Sequence, residues 1–375
     1  LNQKQAVIEK EGIILEGLTV KNSTGDTELK AGEDYSAAFD STTGFLTITM
    51  LAGGKGAAAT AIKVSGKVID PSKVTKEDVI GAVDPSTGAE TGAQVIRQVY
   101  PRLGIVPGLI LAPGWSQIPE VGLALAAKAA KINGVYSAMA LLDLDTAKAK
   151  KYTDTKSVKE ESGYTSPFCY PLWPCDRVGE YILAKSAVAG AMIQYMASDN
   201  EDVPNQSPSN HLLGVGGQCL EDGTEVYLDQ DQANTVNGYG VTTAINQNGY
   251  RLWGNYTGAY PASSDAKDIW FAVRRMFSWQ GNNFIQTYFD EVDDPMNNVL
   301  VQSVVDSENI RCSAYAPKYW AGASIEYKSD DNPKTAILAG TMKFRQHIAP
   351  YTPAQEIVDI IDYDTDTLAA AVGGN

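Results

Sequence analysis

The chain has 375 residues, 44% of them hydrophobic and 20% charged, with a formal net charge of −15. That length exceeds one ordinary core and points to two or three domains of a folded globular protein. The acidity argues against direct nucleic-acid binding, which needs clustered Lys and Arg, and no apolar run approaches the ~18 residues of a membrane-inserted helix.

Leu1 opens no signal peptide and is no natural start, so residues are expected to precede it. Residues 1–73 read as a β-rich domain, sandwich or barrel-like. Gly12 to Val20 is a candidate strand. Asp34 to Phe39 leads through the polar connection Asp40-Ser41-Thr42-Thr43-Gly44 into Phe45-Leu46-Thr47-Ile48-Thr49-Met50, a hairpin with period-2 alternation. Gly53 to Ala61 is a small-residue loop before another strand from Ile62 to Val68, and Asp70-Pro71-Ser72 marks a boundary.

Residues 74–262 read as a layered α/β domain. Val106 to Ala112 is a short apolar strand, and Pro119 suits a first helical turn. Val121, Leu125, Ala129 and Ile132 then put one apolar face toward a sheet, until Asn133-Gly134 closes the helix. Tyr136 to Leu142 is the next strand, so the unit predicts a parallel pair. A further helix is expected from Val178 to Met196. Residues 263–375 read as an α+β domain. In it Ile269 to Val273 is an apolar strand entering Arg274-Arg275, Phe284 to Phe289 and Asn298 to Val305 are helical, and strands lie near Ile325–Tyr327, Thr335–Lys343 and Glu356–Tyr363.

Chemical signatures are weak throughout. Cys169 and Cys175 are separated by five residues, which fits neither CxxC nor a zinc knuckle, and Cys219 and Cys312 stand alone. All four read as reduced, buried thiols. Gly53-Gly54-Lys55-Gly56 lacks the GxxxxGK[ST] register of a phosphate loop, and Gly214-Val215-Gly216-Gly217 is half a dinucleotide fingerprint without its helix. No GxSxG is present, and His211 and His347 have no triad partners nearby in sequence. Asp143 and Asp145 end a strand where α/β enzymes place ligands, but solvated loop carboxylates are the favoured reading. Asp293-Asp294-Pro295 reads as a helix N-cap with Pro at the first helical position. The Asn-x-Ser/Thr matches at Asn22, Asn205 and Asn255 carry no weight without a secretory signal. No catalytic residue, metal site or cofactor is assigned.

The span from Asn246 to Met276, NQNGYRLWGNYTGAYPASSDAKDIWFAVRRM, places Trp253-Gly254-Asn255, Tyr260-Pro261, Lys267-Asp268 and Arg274-Arg275-Met276 close together. Other motifs flank it in order. They are residues 88–116, Trp173-Pro174, Pro204, Pro208-Ser209-Asn210, Asp222 to Asn234, Asp306 to Ile310, Asn332-Pro333 and Pro350 to Ile357. Over roughly residues 75–364 this series resembles the contractile tail sheath proteins, which form the outer cylinder of contractile phage tails and related injection particles. Residues 1–73 resemble their β-rich protruding domain less specifically. Two departures stand out: the family's N-terminal arm is not in this sequence, and the tail from Thr365 to Asn375 is small and nonspecific.

The resemblance implies a structural subunit rather than an enzyme. Such subunits self-assemble as stacked hexameric rings, forming a helical sheath around a tail tube protein, with a baseplate as a further partner. Contraction is driven by lattice rearrangement without a nucleotide. The expected place is a virion tail or phage-tail-like particle, made in the host bacterial cytoplasm. Competing readings are a hydrolase-like α/β enzyme using Asp143 or His211, and a non-contractile lattice protein.

Two groups of residues are singled out within that reading. Trp253, Tyr260 and Trp270 are expected to pack at the join between the middle and terminal domains. Of Arg274 and Arg275, one is expected to pair with a carboxylate inside the subunit and the other to face outward. The run Glu356-Ile357-Val358-Asp359-Ile360-Ile361-Asp362-Tyr363 is β-branched, free of Gly and Pro, and spaced with carboxylates. Left as a free edge it is an aggregation hazard, so it reads either as an internal edge strand or as an arm donated to a neighbour's sheet. The resemblance favours the arm.

Overall fold

A computed structural model describes Asn2 and residues 4–373. Leu1, Gln3 and the tail residues Gly374 and Asn375 lie outside the described residues. The chain divides into two compact units, Leu1–Thr75 and Lys76–Asn375.

The first unit holds β1 (Gln5–Ile8), β2 (Ile13–Asn22), β3 (Glu28–Leu29), β4 (Tyr35–Phe39), β5 (Leu46–Met50) and β6 (Ile62–Val68). They form two three-stranded antiparallel sheets, ordered β1-β5-β4 and β3-β2-β6. The alternation expected of β5 is realised: Leu46, Ile48 and Met50 are buried and Thr47 and Thr49 are not. With Ile13, Val20, Leu29 and Tyr35 they make one apolar core shared by both sheets. The Asp40 carboxylate holds the connection of the expected hairpin by accepting from the amides of Thr42 and Thr43.

In the second unit α1 (Lys76–Ile80) and α2 (Val99–Leu103) lead into β7 (Leu109–Leu111), α3 (Pro119–Ala130) and β8 (Met139–Asp143). After α4 (Thr155–Ser162) comes β9 (Cys169–Leu172). β7, β8 and β9 are parallel, with Leu109 opposite Met139 and Ala140 opposite Cys169. Every residue of β8 is buried, as a central parallel strand requires. Ala140 and Leu142 join Val121, Leu125 and Ala129 of α3 in one core, while Met139 and Leu141 join another. That second core takes Ala189 and Ile193 from a helix later in the chain, so the sheet is covered on both faces.

The chain continues as β10 (Cys175–Val178), β11 (Tyr181–Leu183), α5 (Lys185–Ser198), β12 (Gly217–Cys219), α6 (Gln230–Gly238) and the hairpin β13 (Thr243–Asn246) with β14 (Tyr250–Trp253). The helix expected from Val178 therefore starts later. Gly179, at φ 60°, turns β10 back into β11 first.

The remainder comprises α7 (Ala266–Ile269), α8 (Phe271–Thr287), α9 (Asn298–Ala314), β15 (Trp320–Glu326), α10 (Lys334–Leu338), β16 (Arg345–Pro350) and α11 (Thr365–Ala371). Several expectations fail here. Ile269 to Val273 is no strand: Phe271 begins α8, and a short contiguous apolar run does not distinguish the two forms. Thr335 to Lys343 is no strand either; Pro333 caps α10, and Gly340 at φ 75° follows its end. Asp293 has φ 73°, outside the extended conformation of an N-cap. The cap of α9 is Asn297, whose side chain accepts from the Leu300 amide at 2.9 Å. β15 and β16 pair antiparallel, and Trp320 packs with Met276, Cys312 and Tyr319 under α8 and α9.

Candidate functional site

Beyond Pro350 the chain loses its ladder. Residues 351–364 form no strand in the single chain, and Glu356 to Tyr363 are all exposed. Ile357, Val358, Ile360 and Ile361 show 88%, 69%, 80% and 87% of their surface to solvent. The strand expected there is thus not formed: among the described residues no strand pairs with it. The segment ends at Asp364, whose carboxylate caps α11 by accepting from the amides of Asp366 and Thr367.

The root of this arm is held at two points. The Tyr351 hydroxyl donates to the Pro317 carbonyl at 2.9 Å, and the Tyr256 hydroxyl donates to the Gln355 side-chain oxygen at 2.6 Å. Tyr256 is the middle ring of a stack: Tyr260 lies 3.7 Å away at 4°, and Trp270 lies 4.7 Å away on a 22° tilt. The stack forms because the backbone around Tyr256 bridges that of Trp270. The Thr257 amide donates to Ile269, and the Phe271 amide donates to Asn255.

Lys159 braces the same region from below. It is 4% exposed and donates its ammonium to the carbonyls of Tyr260 at 2.5 Å and Tyr239 at 2.9 Å. Burial pulls its pKa down to about 8.

Of the expected structural residues, Tyr260 and Trp270 therefore meet, on Tyr256 rather than directly. Trp253 stands apart, half-buried, donating from its indole nitrogen to Asn234 at 2.8 Å. Arg274 pairs with Asp268 at 3.1 Å and lies 4.3 Å over the Phe168 ring, which is the intrasubunit pair expected of one arginine. Arg275 does not face outward: it is half-buried, 5.5 Å over Phe271, and burial pulls its pKa to about 10. The sequence reading missed Tyr256, Tyr351 and Gln355. The Tyr256-x-x-x-Tyr260 spacing beside Pro261 was the available signal.

The residues weighed for catalysis are otherwise employed. Asp143 is not a solvated carboxylate but a buried one, 7% exposed. It accepts from the Ser186 amide and hydroxyl at 2.8 and 2.5 Å and from the Ser116 hydroxyl at 3.0 Å. Burial raises its pKa despite those donors. His211 is exposed, and His347 meets Glu326 across the β15–β16 pair at 2.9 Å. All four cysteines are free, and no cluster of metal-binding side chains occurs among the described residues. Also among them, no helix is long and apolar enough to cross a membrane.

The fold is similar to that of sheath proteins in solved contractile injection systems. It is similar to the PVC sheath complex of an extracellular contractile injection system in its contracted state (TM-score 0.58, 17% identical, 74% of this chain and 76% of that one). No protein-family model matches the chain. In sequence it is 27% identical over 375 residues to the tail sheath protein of Burkholderia phage BcepMu, covering 96% of this chain and 76% of the relative. It is 24% identical over 294 residues to that of Escherichia phage P2, covering 76% and 69%. The chain is a homologue of the contractile tail sheath proteins.

Proposed function

We propose that this chain is the structural subunit of a contractile tail sheath. Copies assemble as stacked hexameric rings around a tail tube, meet a baseplate, and drive contraction by moving between two lattice arrangements. Its place is a virion tail or phage-tail-like particle made in a bacterial cytoplasm. No catalytic step, nucleic-acid contact or membrane insertion is assigned to it. The regions 1–73, 74–262 and 263–375 serve as a β-rich accessory domain, the α/β sheath core and the arm-bearing domain.

The observation that carries this reading is the arm. Four large aliphatic side chains and a row of unpaired backbone groups stand in solvent, which a stable monomer has reason to avoid. Added as a strand to a neighbour's sheet, Glu356 to Tyr363 gain a ladder while the unpaired residues on either side absorb movement. Each interface gains a little free energy on rearranging, and a lattice sums many of them.

The test is removal of residues 354–375. The shortened chain is expected to stay folded, with at most a small fall in melting temperature from the lost Tyr256–Gln355 hydrogen bond, but to form no tubes by electron microscopy. Normal tubes from the truncated chain overturn the arm's role. Unfolding of the truncated chain instead assigns the segment to the subunit's own fold.

A further inference from the structure

Cys175 and Cys219 are distant in sequence, and the fold makes them neighbours. Cys175 opens β10, Cys219 ends β12, and the antiparallel register sets the two directly opposite each other. Opposed residues of an antiparallel pair have Cα atoms about 4.5–5.5 Å apart and side chains on the same face. A disulfide joins Cα atoms roughly 4.4–6.8 Å apart, so the backbone here is spaced for one. The other two cysteines have no such neighbour. Cys169 lies opposite Ala140, and Cys312 packs with Met276, Tyr319 and Trp320.

Access to the pair is one-sided. Cys219 is fully buried, whereas Cys175 is half-buried. The β11 ladder reaches β10 only at Asp176, so no β11 residue lies opposite Cys175. The two cysteines also stand at the end of their ladder, where strands fray most readily. The next pair inward is anchored: Asp176 accepts from the buried Lys185 ammonium, and Gln218 donates to the Ala244 carbonyl. The sulfurs can therefore close on each other while the register behind them holds. Burial, and then the Asp143 carboxylate, push the Cys175 thiol up to about 12, so closure is slow near neutrality.

We propose that Cys175 and Cys219 form a reversible redox modification site, a pair of thiols that a peroxide oxidises to a disulfide and an external dithiol reopens. The Cys175 thiolate attacks one peroxide oxygen. The O–O bond breaks, Cys175 becomes a sulfenic acid, and the departing hydroxide takes up the thiol's proton as water. The Cys219 sulfur then attacks the Cys175 sulfur. The S–S bond forms, the S–O bond breaks, and the hydroxide leaves with the Cys219 proton as a second water. Two thiols lose two electrons and the peroxide gains them. The pair is complete within one chain, so the site does not depend on assembly.

To test it, the full chain is treated with hydrogen peroxide under native conditions. Remaining thiols are blocked with N-ethylmaleimide after unfolding, and peptides are mapped by mass spectrometry. The expected result is a linked Cys175–Cys219 peptide, two of the four thiols left to block, and recovery of all four after dithiothreitol. The rate of closure is expected to rise about tenfold for each pH unit above neutrality, and a rate indifferent to pH overturns the thiolate step. In Cys219→Ser the reaction is expected to stop at a Cys175 sulfenic acid that dimedone traps. Sulfinic or sulfonic acid at Cys175 of the wild-type chain, without the cross-link, overturns the pair. So does a cross-link to Cys169 or Cys312, one between chains, or no oxidation of either thiol. These outcomes are read on the wild-type chain, so they decide the matter even where Cys219→Ser does not fold.

Discussion

The Tyr256 hydroxyl sits 2.6 Å from the Gln355 side-chain oxygen, 99 positions apart in sequence, and joins the Tyr260–Tyr256–Trp270 aromatic stack to the start of the exposed C-terminal segment. One face of the Tyr256 ring is covered by Tyr260 and the other by Trp270, so the stack orients the donor toward Gln355. The rings are only half-buried, which keeps this contact reversible.

Replacing Tyr256 by Phe preserves the stack and removes the donor. The expected loss is about 1 kcal/mol or less, the net value of a partly solvated hydrogen bond. The Gln355 side-chain amide resonances and the backbone order parameters of residues 354–357 are expected to move toward those of a free segment, while the rest of the unit is unchanged. Unchanged order at those residues would show that Gln355 does not hold the segment.

Substituting Ile357 and Ile361 by Asp adds charge where both side chains are already at 88% and 87% exposure. The subunit's denaturation midpoint is expected to stay within experimental error. Tube formation is expected to be lost, since a buried unpaired carboxylate in the assembled ladder is strongly unfavourable. Sedimentation of tubes at the wild-type protein concentration would contradict this.

Two tryptophans separate core packing from peripheral packing. Trp320 is fully buried and donates its indole hydrogen to the Cys312 carbonyl at 3.0 Å, so Trp320→Ala is expected to cost ~3–5 kcal/mol. Trp253→Ala, at a half-buried site with one hydrogen bond to Asn234, is expected to cost roughly 1–2 kcal/mol. Urea denaturation of both variants checks the order, and a larger loss at Trp253 would reverse it.

Lys159 predicts a pH dependence. Its folded pKa of about 8 lies below the ordinary 10.5, so between those values the unfolded chain holds more protons than the folded one. Stability relative to Lys159→Met therefore rises as pH goes from 8 to 10.5. The burial penalty, on the order of 3 kcal/mol at most, is present in full below pH 8 and relieved above 10.5. Comparing wild type with the variant across this range cancels the titration of buried tyrosines. A flat or falling difference would mean the ammonium is not destabilised where it sits.

Much of the architecture was legible in the chain because it is written locally. Leu46, Ile48 and Met50 alternate with threonines and make a half-buried strand. The spacing of Val121, Leu125 and Ala129 makes a one-faced helix, and the continuous apolar run ending at Asp143 makes a central parallel strand. The ordered motifs from residue 88 onward carried the sheath resemblance. Where the sequence reading failed, local signals were degenerate. Ile269 to Val273 suits strand or helix equally, and Asp293 is read as a cap only if its backbone angle is ignored.

What the sequence determined by itself was the pattern of burial along each element, and the presence of a β-branched, carboxylate-spaced segment that needs a partner. Tertiary structure decided which distant groups meet: Tyr256 with Gln355, Lys159 with the carbonyls of Tyr239 and Tyr260, and Asp143 with Ser116 and Ser186. The reason is physical. Periodicity reports which side of an element is apolar, whereas hydrogen bonds and ion pairs depend on ångström-scale distances set by how the elements pack.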